Sequence, residues 1–145
     1  MVSYGSVQQQ SASSVDFSQW QVGNDYECQA MLGCGAYGQV CRARHKPTGQ
    51  LVAIKRMAKI FQSLGDSVRV LRELSILAKL RDIRIANMVD LIYESADMDK
   101  FDTIYVVLEY CEADLQKLLD SSMFLSMNQV IAIMYHVLVG LNSLH

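Results

Sequence analysis

The chain has 145 residues, 51% of them apolar, enough for one domain of ordinary size with a sizeable core. Its net charge is −2 with both signs interspersed, which excludes the clustered positive face of a nucleic-acid groove. Cys28, Cys34, Cys41 and Cys111 form no C-x-x-C pair and the histidines no ligand spacing, which excludes zinc and leaves reduced thiols, the default of a cytosolic or nuclear protein.

Residues 1–25 are rich in Ser and Gln (Gln8-Gln9-Gln10, Ser11-Ala12-Ser13-Ser14) and lack the apolar stretch of a secretory signal. Such sequence cannot bury enough surface to offset its ordering entropy, so a disordered tail is expected. Phe17, Trp20 and Val22 are exceptions, expected to pack back onto the folded part, with docking of a partner as the alternative.

Tyr26 opens a first strand that leads into Leu32-Gly33-Cys34-Gly35-Ala36-Tyr37-Gly38-Gln39-Val40. Glycines at G-x-G-x-x-G spacing leave backbone without Cβ atoms, so main-chain N–H groups can close over an anion. A dinucleotide fold would follow the glycines with a helix, and a Walker loop would end in Gly-Lys-Ser/Thr. Here Gln39 to Arg44 is β-branched and alternating, Lys46-Pro47-Thr48-Gly49 suits a type I turn, and Gln50 to Met57 is a further strand. The basic run Arg42-Ala43-Arg44-His45-Lys46 is expected on the solvated side of this hairpin. Alternation puts Val52 and Ile54 in the core and turns Ala53 and Lys55 together under the glycine turn. Locally, Lys55 is either a phosphate ligand beside a flat apolar ring or a solvated hairpin lysine.

Ala58 to Gly65 is a connector, and Asp66 or Ser67 is expected to cap a helix running to about Leu80. Leu71, Leu74, Leu77 and Leu80 supply its expected buried stripe, with Arg69, Arg72 and Glu73 off it. After the loop from Arg81 to Asn87, Met88–Glu94 and Ile104–Tyr110 are strands. The aspartates between and beside them (Asp97, Asp99, Asp102) lack the glycine and glutamate of an EF-hand loop and suit a solvated tip. Ala113 to Asp120 is a short helix, and Ser126 with Gln129 forms a capping box for a last helix. The Val130–Leu144 run is interrupted by His136 and too short to span a bilayer, so a buried helix of a soluble protein is expected.

A glycine loop, then Val52-Ala53-Ile54-Lys55 on a strand, then a helix bearing Arg72-Glu73, resembles the N-terminal lobe of protein kinases. Gly35-Ala36-Tyr37-Gly38-Gln39-Val40-Cys41, Phe61-x-x-Leu64-x-Asp66-x-x-Arg69-x-Leu71-Arg72-Glu73-Leu74, and Tyr105 to Tyr110 followed by Ala113-Asp114-Leu115 resemble mitogen-activated protein kinases in particular, with cyclin-dependent kinases as the alternative. The loop from Arg81 departs from that pattern: only Asn87 survives where a His with a following Pro or Asn is usual.

The resemblance implies an α+β fold. A five-stranded antiparallel sheet with one regulatory helix and the hinge would occupy residues 26–111. Residues 112–145 would be the start of a helical C-terminal lobe with two helices. It implies that Lys55 holds the α- and β-phosphates of ATP and that Glu73 positions it. The glycine loop (Gly33, Cys34, Gly35, Ala36, Tyr37, Gly38) would cover the phosphates, and Leu32, Val40, Ala53 and Leu108 would wall the adenine, with Leu108 as gatekeeper. Glu109 would offer its backbone carbonyl, and Cys111 its backbone N–H and carbonyl, to the adenine edge. Asp114 has two readings, a ribose ligand or a helix cap. Arg69 and Arg72 match arginines that meet a phosphothreonine, or are simply solvated. The implied partners are ATP, protein substrates with Ser/Thr hydroxyls and an upstream activating kinase, with no nucleic acid and no membrane. Mg ligands and the catalytic loop are expected beyond His145, so the chain alone is expected to be an inactive piece. A non-catalytic nucleotide-binding or scaffolding role is the reading from another class.

Overall fold

β-branched and apolar runs broken by turn residues give five strands, and helical spacing takes over twice. The computed structural model describes residues 16–35, 38–94 and 101–144. In chain order these are β1 (Tyr26–Gly35), β2 (Gly38–His45), β3 (Leu51–Met57), α1 (Leu64–Lys79), β4 (Met88–Tyr93), β5 (Ile104–Glu109), α2 (Leu115–Asp120) and α3 (Met127–Leu144). The strands form one antiparallel sheet in the order β1-β2-β3-β5-β4, the α+β arrangement expected.

The sheet is covered on one face and, by α1, over one end of the other. Cys41, Ala43, Val52, Ile54, Tyr105 and Val107 fill one face, beneath Val22 and Tyr26. Phe17 and Trp20 lie over them, with the Trp20 ring 5.8 Å from that of Tyr105. Fully buried Tyr105 would carry a costly hydroxyl, but that oxygen accepts the Gln21 N–H at 3.0 Å. The apolar residues upstream of Tyr26 therefore pack back as expected; residues 1–15 lie outside the described ones. On the opposite face, Met57, Ile60, Ile104 and Val106 meet Val70, Leu74 and Leu77 of α1. β5 is thus buried on both sides, which accounts for its unbroken apolar run.

Two details of α1 correct the sequence expectation. Its cap is Ser63, not Asp66 or Ser67: the Ser63 backbone is extended and its Oγ accepts the Asp66 N–H at 3.1 Å. Asp66, three residues in, instead accepts the Ser63 hydroxyl at 2.6 Å, so the two form a reciprocal capping pair. Leu71 is not in the buried stripe; it is 66% exposed, and Val70 takes its place. A run at strict three-residue steps drifts around a helix of 3.6 residues per turn, whereas Ser67, Val70, Leu74 and Leu77 follow one face.

α3 begins at the capping box, where Gln129 Oε1 accepts the Ser126 N–H at 2.9 Å. Within these residues it finds little cover: only Gly140 is buried, against Arg84, while Ile131, Met134, Leu138 and Leu141 are exposed. Because it starts at Met127 it reaches 18 residues at a mean hydropathy of 1.2, long and apolar enough by length and composition to cross a membrane. Asp97 and Asp99 lie outside the described residues.

Candidate functional site

The site is set by strand register. Lys55 of β3 pairs with Val40 of β2 and Val106 of β5, and Ala53 pairs with Arg42 and Leu108. Directly opposed residues share a face, so Val40, Ala53, Lys55 and Leu108 form one surface, as the alternation predicts. α1 lies over the end of this surface and brings Glu73 to it. Lys55 Nζ and Glu73 Oε1 are 2.6 Å apart, with the side chains 18% and 34% exposed. Glu73 therefore stands on the sheet-facing side of α1 rather than clear of it. A pair this wet adds about 1 kcal/mol of stability at most, so its weight is geometric: it fixes where the ammonium stands.

Gly38, at the end of the glycine turn, borders the same end as Glu73. Gly35 and Gly38 are paired across the hairpin, with Ala36 and Tyr37 between them outside the described residues. Gly38 has φ +123°, and a Cβ there would stand 2.2 Å from the Arg56 carbonyl oxygen, so only glycine fits. A Cβ at Gly33 or Gly35 would meet nothing within 4 Å, which leaves open space beside that backbone. Cys34 and Leu32 are exposed. A hollow of about 220 Å³ is bounded by Gly38, Met57, Lys59, Ile60, Arg69 and Glu73, on the α1 side of the ion pair. Leu32, Val40, Ala53 and Leu108 do not line it.

At the far end of β5, Glu109 is held by a residue the sequence singled out only as a survivor of a broken pattern. Asn87 O accepts the Glu109 N–H at 3.0 Å, and Glu109 Oε2 accepts the Asn87 N–H and Nδ2, each at 3.1 Å. Asn87 also donates to the Asp82 and Ile85 carbonyls and accepts the Asp82 N–H, so one side chain closes the loop from Arg81 and ties it to the hinge. An Asn in a loop satisfying backbone groups was the signal available. Cys111 is exposed just beyond β5. Of the two readings of Asp114, the cap is the one seen: it precedes α2 and its Oδ1 accepts the Lys117 N–H at 2.7 Å.

Arg42 departs from the expected solvated hairpin side. Arg44 and Lys46 are exposed, but Arg42 is half-buried beside Ala53, and its Nε has no hydrogen-bond partner among the described residues. Only the register, not the local charge pattern, shows that it shares the Lys55 face. Arg72 is exposed, and Arg69 borders the hollow. Among the described residues there is no cluster of His, Cys, Asp or Glu able to hold a metal ion.

The sequence that builds this site has relatives. The protein kinase domain family matches residues 26–145. Mitogen-activated protein kinase 15 of Oryza sativa subsp. japonica is 33% identical over 129 residues, 89% of this chain and 26% of that protein. Mitogen-activated protein kinase 13 of Mus musculus is 33% identical over 126 residues, 87% of this chain and 34% of that one. Extracellular signal-regulated kinase 1 of Dictyostelium discoideum is 33% identical over 128 residues, 88% of this chain and 24% of that protein. The chain spans between 24% and 34% of the length of these three.

Proposed function

The chain belongs to the protein kinase domain family, and from that premise we propose that it is the ATP-binding portion of a serine/threonine kinase of mitogen-activated type. The complete protein transfers the ATP γ-phosphate to Ser and Thr hydroxyls of protein substrates and answers to an upstream kinase. The observation that carries this reading is the 2.6 Å contact between Lys55 and Glu73, made between a sheet and a helix 18 residues apart in sequence.

The residues fit the nucleotide. Lys55 supplies a positioned positive charge for the α- and β-phosphates, and the open backbone at Gly33 and Gly35 gives phosphates room to approach main-chain N–H groups. Leu32, Val40, Ala53 and Leu108 offer apolar contact to the adenine ring, with its polar edge toward the backbone of Glu109 and Cys111. Magnesium, when bound, neutralises charge on the phosphates. The sequence contains neither an H-R-D nor a D-F-G motif, so we assign substrate orientation and metal binding to other parts of the complete protein. A cytosolic or nuclear setting belongs to the same proposal.

Phosphoryl transfer depends on positioning and charge, so displacing the ammonium removes rate rather than fold. Lys55→Met in the complete protein is expected to lower transfer by about 100-fold or more with unchanged circular dichroism. Glu73→Gln is expected to act in the same direction, less severely. Wild-type turnover in Lys55→Met would overturn the assignment.

A further inference from the structure

Cys28 on β1 and Cys41 on β2 stand with their sulfurs 3.5 Å apart. The contact is diagonal. Cys28 pairs with Ala43, Cys41 pairs with Met31, and the register slips between Cys28 and Ala30. The two thiols differ in access: Cys41 is fully buried in the sheet core, while Cys28 is only partly covered. They differ in acidity too. Cys28 is held below the ordinary thiol range because the Cys41 S–H donates to it. Cys41 is raised by the same hydrogen bond and by burial. A partly covered sulfur in contact with a fully buried thiol is the arrangement in which an oxidised cysteine is resolved by its neighbour.

We propose that Cys28 and Cys41 are an oxidisable pair that forms an intramolecular disulfide after Cys28 attacks a hydroperoxide. The Cys28 thiolate takes the terminal oxygen of hydrogen peroxide, the O–O bond breaks, and with one proton the products are Cys28 sulfenic acid and water. Cys41 sulfur then attacks the Cys28 sulfur; the S–O bond breaks, and the hydroxyl leaves with the Cys41 proton as a second water. Two thiols are oxidised and one peroxide is reduced. Bond formation brings the sulfurs about 1.5 Å closer than they stand, and the slipped register next to Cys28 gives the strand room to shift. The bond sutures the hairpin below the glycine turn, because the next pairs along it are Gly33 with Val40 and Cys34 with Gln39. Cys34 and Cys111 are the internal comparison, being more exposed than Cys28 but without a neighbouring thiol among the described residues. The proposal stands apart from the kinase reading, since it concerns two thiols and their strands alone.

The test is a peroxide titration of the complete protein, followed by alkylation in denaturant and mass mapping of a digest made without reductant. A Cys28–Cys41 peptide lighter by two hydrogens, lost on adding dithiothreitol, is the expected result. In Cys41→Ala, Cys28 is expected to accumulate as a sulfenic acid trapped by dimedone. The wild-type map decides the matter even if that variant fails to fold. Recovery of both cysteines as alkylated thiols at doses that oxidise Cys34 or Cys111 would overturn the proposal. So would Cys28 sulfinic acid beside an intact Cys41 thiol, or a disulfide from Cys28 to any other cysteine.

Discussion

Gly38 shows how one atom constrains the site. Its φ of +123° is disfavoured for any L side chain, and the Arg56 carbonyl oxygen occupies the place of a Cβ at 2.2 Å. Gly38→Ala is therefore expected to cost about 1–3 kcal/mol, read as a lower melting temperature together with weaker nucleotide binding. Gly35→Ala, with open space around it, is expected to cost less. Tyr26 makes a different kind of link: its hydroxyl donates to Asp90 Oδ2 at 3.0 Å, joining the strands at opposite edges of the sheet. Burial first, then the Asp90 hydrogen bond and charge, push its phenol from 10.0 up to about 12. A value raised on folding means the proton is held more tightly in the native state. Its contribution is complete below pH 10 and is lost as the pH climbs toward 12. Tyr26→Phe is expected to cost about 1 kcal/mol at neutral pH and to flatten the alkaline fall in stability over that window. Equal slopes for the two proteins in denaturant titrations would remove Tyr26 as the cause.

At the scale of elements, α1 decides whether the Lys55 face is assembled. It has no fully buried residue and touches the sheet through Val70, Leu74 and Leu77, so a modest loss at its start matters. Ser63→Ala removes the acceptor for the Asp66 N–H and the donor to its carboxylate. The expected cost is about 1 kcal/mol, seen as faster amide exchange in the first turn of α1. If exchange there is unchanged, Ser63 is not the cap in solution. The segment from Phe17 to Val22 acts as a further element without regular structure. It covers one sheet face and satisfies Tyr105, a role that Ser/Gln-rich composition hides because only three of its side chains carry it.

For the whole molecule, the balance of covered and uncovered surface sets behaviour. The sheet is covered on one face and, by α1, over one end of the other, while α3 presents Ile131, Met134, Val137, Leu138 and Leu141 to solvent. A contiguous apolar face of this kind drives association. Residues 1–145 produced alone are expected to sediment as concentration-dependent oligomers, and replacing Ile131, Met134 and Leu138 by Glu is expected to shift them toward monomer. A monomer at all concentrations would count against that.

Local pattern was enough for the strands, the helix over the sheet and the shared face of Ala53 and Lys55, because side-chain alternation and glycine spacing are properties of adjacent residues. The family likeness rested on the same short-range order. The meeting of Glu73 with Lys55 was implied by that likeness, and the tertiary structure supplied its 2.6 Å geometry. The tertiary structure alone decided that Val70 and not Leu71 faces the sheet, and that Arg42 shares the Lys55 face. It also decided that Asn87 ties a loop to Glu109, and that Cys28 finds Cys41. Each of these joins residues far apart in the chain, or turns on the rotation of a helix against a sheet. Such relations depend on strand register and crossing geometry, which no window of neighbouring residues contains.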